Sequence, residues 1–277
     1  MGLSLPPIIG EVEADQVTGA VWCDVRWYLD GTDGMAAYLD DHISGAIFVD
    51  LDHHLADPAT IERGRHPLPS AESFSASLGE LGIGPDTPVI AYDDRQGVPA
   101  GRFVWMLRAT GHEAALLDGG LDSWTGPRSK GEEHRRSCMH PVREWPDVLA
   151  DADTTLASGS APAPHTVVID ARAGERFRGE VEPMDVRAGH IPGAISVPYA
   201  GNLDGSGRFL TSAELRTRFE QAGVSPAADV INYCGSGVSA CHNLLAMEYA
   251  GYPPGRLYPG SWSAWSADPD RPIATGA

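Results

Sequence analysis

Asp41-His42-Ile43-Ser44-Gly45-Ala46-Ile47 returns later in the chain as Gly189-His190-Ile191-Pro192-Gly193-Ala194-Ile195. Three more pairs accompany it. Val21-Trp22-Cys23-Asp24-Val25-Arg26 matches Val167-Val168-Ile169-Asp170-Ala171-Arg172. Pro88-Val89-Ile90-Ala91-Tyr92 matches Asp229-Val230-Ile231-Asn232-Tyr233. Gly119-Gly120-Leu121-Asp122-Ser123-Trp124 matches Gly260-Ser261-Trp262-Ser263-Ala264-Trp265. The pairs run in the same order at nearly the same spacing, so the chain is a duplicated domain.

Each half alternates short β-branched runs with helical patterns. In the second half, Thr166–Asp170, Ala194–Val197 and Ala228–Tyr233 read as strands. Ser212–Ala222 reads as a helix, opened by Thr211 or Ser212 and closed by Gly223; another runs from the loop after Tyr233 to Ala250. Strands alternating with helices imply an α/β fold, a mostly parallel sheet flanked by helices, in two tandem copies. We expect an N-terminal domain over residues 1–125, a connector over 126–165 and a C-terminal domain over 166–277. The connector is rich in Pro, Gly, Ser and charge, and Ser158-Gly159-Ser160-Ala161-Pro162-Ala163-Pro164 reads as its least structured part.

The 277 residues suffice for two cores. A net charge of −18 disfavours nucleic acid and anionic membrane as partners, while a local nest of N–H groups and arginines can still hold a small anion. No apolar run approaches the roughly 18 residues of a membrane helix. Met1-Gly2-Leu3-Ser4-Leu5-Pro6-Pro7 lacks the pattern of a signal peptide, so a cytoplasmic location is expected.

Of the four cysteines, Cys23 reads as a small buried hydrophobe, Cys241 as packed against the sheet, and Cys138 carries no motif. Cys234 differs. It stands in Tyr233-Cys234-Gly235-Ser236-Gly237-Val238-Ser239-Ala240, after a strand and ahead of a helix. Ligands of parallel sheets bind beyond the carboxyl ends of the strands. Successive N–H groups in such a loop can curl around an anion, and the position favours thiolate over thiol. The plainer reading is an ordinary loop thiol, but the Gly-Ser-Gly context costs backbone entropy and calls for a reason.

Rival chemistries fail on single residues. A cysteine phosphatase loop closes on an arginine that grips phosphate bidentately; Ala240 stands there. P-loop and nucleophile-elbow motifs are absent. His242 follows the loop and reads as a helix-surface or core-edge residue more readily than as a base. The adjacent His53 and His54 lack a companion that would make a metal site, so none is expected. In the first half Asp93 aligns with Cys234, which leaves one reactive copy and one scaffold copy.

The cysteine loop, the repeated His-Ile-x-Gly-Ala element and the Gly-to-Trp endings together resemble the tandem-domain rhodanese family, the thiosulfate and 3-mercaptopyruvate sulfurtransferases. The resemblance covers nearly the whole chain outside the connector and tips. It implies an inactive N-terminal domain, an active C-terminal one, and transfer of a sulfane sulfur through a persulfide on Cys234. It also implies a small anionic sulfur donor, a thiol, cyanide or thioredoxin as acceptor, and no metal or organic cofactor. Cys234-Gly235-Ser236-Gly237-Val238 is similar to the mercaptopyruvate type, with Ser239 where threonine is usual; thiosulfate enzymes more often carry basic residues there. The donor-binding arginine maps to Arg176. A second arginine that often follows Glu-Pro is Met184 here, after Glu182-Pro183, and Arg187 and Arg178 are the candidates to replace it. The partners of the loop serine map to Asp52 and His66. Two readings stand for them: a Ser236–His66–Asp52 relay, or residues that only fix the domain interface. Two alternative functions stand beside mercaptopyruvate transfer: thiosulfate:cyanide transfer, and a sulfur carrier of low turnover.

Overall fold

The computed structural model describes residues 3–160 and 166–276. The chain divides into two compact units. The first comprises Met1–Asp57, Leu68–Pro146 and Ser206–Arg208; the second comprises Pro58–Pro67, Asp147–Gly205 and Phe209–Ala277. Segment Pro58–Pro67, which holds His66, therefore packs with the C-terminal half, not with the N-terminal half in which it lies in sequence.

In the first unit the elements run β1 (Ile8–Ile9), α1 (Glu11–Asp15), β2 (Val21–Asp24), α2 (Gly34–Asp40), β3 (His42–Ile43), β4 (Ile47–Phe48), α3 (Leu51–His54), α4 (Ala71–Glu80), β5 (Val89–Tyr92), α5 (Val98–Ala109), β6 (Ala114–Leu117), α6 (Gly120–Ser123) and β7 (Arg128–Ser129). Five strands form a parallel sheet in the order β1-β6-β5-β2-β4, and β3 pairs antiparallel with β7.

The second unit continues with α7 (Ala152–Ser160), β8 (Thr166–Asp170), α8 (Gly174–Phe177), β9 (Ile195–Ser196), a 3-10 turn at Tyr199–Asn202, α9 (Ser212–Gln221), β10 (Asp229–Tyr233), α10 (Ser239–Tyr249), β11 (Arg256–Leu257) and α11 (Ser261–Ala267). Its parallel sheet runs β11-β10-β8-β9. This is the order of β6-β5-β2-β4. The edge that β1 covers in the first unit carries here a single parallel bridge from Leu149 to Leu257.

The stretch read as a connector is more structured than its composition suggests. It contains β7 and the helix α7. Asp151 opens that helix by accepting from the Thr154 N–H at 2.7 Å, and Leu156 packs on the core. Only its residues 161–165 lie outside the described part.

The repeated motifs build the fold twice. Asp24 and Asp170 each pair with the arginine two positions on, Arg26 and Arg172, at 2.9 and 2.6 Å. The Ile43 and Ile191 N–H groups donate to the hydroxyls of Tyr92 and Tyr233 at 3.0 and 3.1 Å. His42 and His190 bond the carbonyls of Tyr38 and Phe177 at 2.8 and 2.7 Å. Gly45 and Gly193 turn with φ of 81° and 80°, which a β-carbon disfavours. The His-Ile-x-Gly-Ala element therefore satisfies buried polar groups at a sheet edge. It is architecture, not chemistry.

The second core surrounds the cysteine loop from below. Phe177, Ile191, Ile231, Tyr233, Trp262 and Trp265 pack in one cluster, and the Arg172 guanidinium stacks 4.6 Å over the Trp262 ring. Thr211 forms a full capping box with Glu214 at the start of α9, and Gly223 and Gly251 follow α9 and α10 with positive φ.

Candidate active site

β10 is buried over its last four residues and delivers Cys234 at its carboxyl end. The loop is pinned from α11. The Trp262 and Ser263 N–H groups donate to the carbonyls of Cys234 and Gly235, both at 2.9 Å. The Cys234 N–H donates to Ser261 Oγ at 3.1 Å. Ser261 holds a φ of 51°, a strained value for a non-glycine residue and a local cost of the pinning.

Two N–H sources then face the sulfur region. The Gly237 N–H donates to Cys234 Sγ at 3.1 Å, and Gly237 can aim it there because its φ is 75°. Helix α10 starts at once, with Val238 as an N-cap that offers no side-chain acceptor, so its first N–H groups keep their anion-binding capacity. Cys234 is 2% exposed. Ser239 begins α10. Cys241 lies behind the loop, fully buried, with its S–H donating to the Gly237 carbonyl at 3.3 Å.

The first unit shows what such a nest prefers. Asp93 stands at the equivalent of Cys234, fully buried, and its carboxylate accepts N–H bonds from Arg95, Gly97 and Ala100 at 2.8, 2.8 and 2.9 Å. Burial pushes its pKa up to about 6 although these N–H groups pull it down. A side-chain anion of the chain itself fills the first nest; the second holds a thiol.

Ser236 and His66 meet. Ser236 Oγ and His66 Nδ1 are 2.8 Å apart across 170 residues of sequence, and both residues are buried. Asp52 lies on α3 in the first unit, where its Oδ2 accepts from the Trp27 indole N–H at 2.9 Å.

Arg176 sits on α8 and pairs with Glu182 at 2.6 Å and Asp185 at 3.2 Å. Glu182 also pairs with Arg172, so the carboxylates of Asp170, Glu182 and Asp185 balance the guanidiniums around the loop. Arg187 and Arg178, the candidates to replace the arginine absent at Met184, do not serve. The Arg187 guanidinium is spent on the carbonyls of Trp265, Ser266, Asp268 and Arg271, and Arg178 pairs with Glu180 at the surface. Arg65 is the cation that sequence reasoning missed. A β-carbon built on Gly235 would lie 2.9 Å from Arg65 Nη2 and 3.6 Å from Arg176 Nη1. The available signal was its place directly before His66.

The other candidates resolve simply. His242 is fully buried, stacked on Phe209 and bonded to Asn202, and is a core residue, not a surface one. His53, His54 and Glu80 bring ligand atoms within 4.8 Å of one another. However, His54 Nδ1 accepts the Asp50 N–H at 3.0 Å, which puts the proton of the neutral ring on Nε2 and removes it as a ligand. Among the described residues, no helix is long and apolar enough to cross a membrane.

Two parallel α/β units, one with a thiol in its anion nest and one with a carboxylate, define a duplicated domain with one thiol-bearing site. The rhodanese-like domain family matches residues 11–127 and 153–268. A Mycobacterium tuberculosis protein with the provisional name thiosulfate sulfurtransferase SseB is 43% identical over 259 residues, covering 91% of this chain and 90% of its own. A Pseudomonas aeruginosa protein with the provisional name 3-mercaptopyruvate sulfurtransferase is 42% identical over 261 residues, covering 91% of both chains. The crystal structure of the 3-mercaptopyruvate sulfurtransferase SseA from Escherichia coli superimposes with a TM-score of 0.78 at 30% identity, over 93% of this chain and 99% of that one. The chain belongs to the rhodanese family, as a two-domain sulfurtransferase.

Proposed function

We propose that this sulfurtransferase takes its sulfur from 3-mercaptopyruvate, carries it as a persulfide on Cys234 and gives it to a thiol, reduced thioredoxin or cyanide. The C-terminal domain is the catalytic one and the N-terminal domain is inactive. In the first step the Cys234 thiolate attacks the donor sulfur. The carbon–sulfur bond breaks, and its electron pair leaves as the enolate of pyruvate. The enolate takes a proton from the Ser236 hydroxyl, which His66 Nδ1 replenishes. The loop N–H groups, with Gly235, Gly237, Val238 and Ser239 shaping the nest, hold the anionic persulfide. Arg176 holds the donor carboxylate. In the second step the acceptor attacks the outer sulfur and the Cys234 thiolate departs.

One observation carries the choice of donor: the 2.8 Å bond between Ser236 and His66 inside a loop with no basic side chain. It offers a proton, and only an enolate leaving group requires one. The rival donor is thiosulfate, whose sulfite leaves without a proton; the identity to the relative named for it and the guanidiniums beside the loop favour that reading. Comparing kcat/KM for the two donors at matched acceptor concentration decides between them. A Cys234→Ser variant with full turnover would remove the site assignment. The four free thiols suit a reducing cytoplasm, and fractionation of the native host tests that location.

A further inference from the structure

Exposed apolar side chains gather at one place in the second unit. Ile61 and Val186 are 71% and 78% exposed, and with Met184 they rim a cavity of about 430 Å³. A single exposed apolar residue means little, but several around one hollow mark a surface that another molecule covers. The floor of the cavity is polar. Ser266 lines it, is 1% exposed, and its Oγ has no hydrogen-bond partner. Arg65 lines it too. Asp185 answers the Arg65 charge, while Arg65 Nε is buried with no acceptor. Buried polar atoms left unpaired are costly unless a ligand completes them. Ser263 forms the wall on the side of the cysteine loop: it lines the cavity, and its N–H donates to the Gly235 carbonyl at 2.9 Å.

We propose that this cavity is the docking pocket for a protein acceptor, which brings its thiol to Cys234 and seats a neighbouring stretch of its own chain beside the cysteine loop. A peptide group matches the floor: its carbonyl accepts from Arg65 Nε, and its N–H donates to Ser266 Oγ. An apolar side chain next to that peptide group fills the space between Ile61, Met184 and Val186. The pocket stops short of Cys234, so a small acceptor such as cyanide makes no use of it, whereas a protein surface spans both places. A net charge of −18 disfavours an anionic lipid surface as the occupant. Once docked, the acceptor thiolate attacks the outer sulfur of the persulfide. The sulfur–sulfur bond breaks, its electron pair returns to Cys234 as thiolate, and the acceptor keeps the sulfur as its own persulfide. The proposal rests on the reading of Cys234 as the sulfur carrier.

The test uses the full chain with the double variant I61D/V186D and with S266A, reduced thioredoxin as the protein acceptor and cyanide as the control. Both rim residues are exposed, so the double variant melts with the wild type. It is expected to raise KM for thioredoxin at least about tenfold, because carboxylates are pressed into an apolar contact. KM for cyanide and the loading of Cys234 by the donor stay unchanged. S266A removes a hydroxyl that has no partner in the free chain. It melts no lower than the wild type and raises KM for thioredoxin about two- to tenfold, the loss of one hydrogen bond. An unchanged KM for thioredoxin in I61D/V186D, or equal losses with both acceptors, overturns the proposal. So does a wild type that serves cyanide and not thioredoxin. A wild-type dimer that I61D/V186D splits, with transfer to thioredoxin intact, gives the face to a second copy and also overturns it. If wild-type Cys234 takes no sulfur, the functional reading fails by itself. The pocket is then judged on calorimetric binding of reduced thioredoxin, and an affinity that I61D/V186D leaves intact overturns it.

Discussion

Ser236→Ala separates the two donors within one protein. The substitution removes the hydroxyl 2.8 Å from His66 Nδ1 and little else, because Ser236 is buried and its loop is held by main-chain bonds from α11. The lost hydrogen bond costs about 0.5–1.5 kcal/mol of stability, too little to unfold a domain. The kinetic effect is larger. If the hydroxyl protonates the pyruvate enolate, its loss removes general acid catalysis worth about 10²–10⁴ in rate, or about 3–5 kcal/mol of barrier. Sulfite leaves thiosulfate without a proton, so transfer from thiosulfate stays within a few-fold. The assay is persulfide loading in a single turnover with each donor, which keeps the acceptor step out of the rate. Equal losses with both donors would refute the proton-delivery argument and leave Ser236 as a wall of the nest.

Three further outcomes follow from the same geometry. Gly237→Ala places a β-carbon at a φ of 75°, which costs about 1–2 kcal/mol and turns the N–H away from Cys234 Sγ; a lower melting temperature together with slower sulfur loading is expected, and loading at the wild-type rate would contradict it. Asp93 titrates at about 6 in the folded chain because burial penalises its charge, against an ordinary 3.8. The folded state thus binds this proton more tightly than the unfolded state, and its contribution falls by ~3 kcal/mol as pH rises from about 4 through about 6; urea denaturation of wild type and Asp93→Asn across that range should show the slope in the wild type alone. Trp262→Ala empties a fully buried site under the Arg172 guanidinium and should destabilise the second unit by about 3–5 kcal/mol in urea, with a cost below about 1 kcal/mol contradicting its place in the core.

The duplication was legible because the residues that repeat are those that satisfy buried polar groups. The aspartate–arginine pairs, the His-Ile turn and the tyrosine hydroxyls each recur with matching bonds. The strands of the second half were legible to within a residue or two, since each is a short run rich in β-branched residues. Helix α7 was not, because Ser158, Gly159 and Ser160 mask a segment whose start is marked only by Asp151. Cys234 was plain from its loop. Arg65 was not, because a lone arginine in an irregular segment acquires meaning only when that segment folds against a loop far along the chain. Arg187 illustrates the converse. It lay close to the vacant arginine position in sequence, yet its charge closes the carbonyl end of α11.

The central claim is that Cys234 carries the sulfur. Intact-protein and peptide mass spectrometry after incubation with 3-mercaptopyruvate, without acceptor, tests it most directly. The expected result is a gain of about 32 Da, one sulfur atom, on the peptide containing Cys234 and on no other cysteine, lost again when cyanide or a thiol is added. A Cys234 peptide of unchanged mass, or the added sulfur on Cys138, would contradict the account.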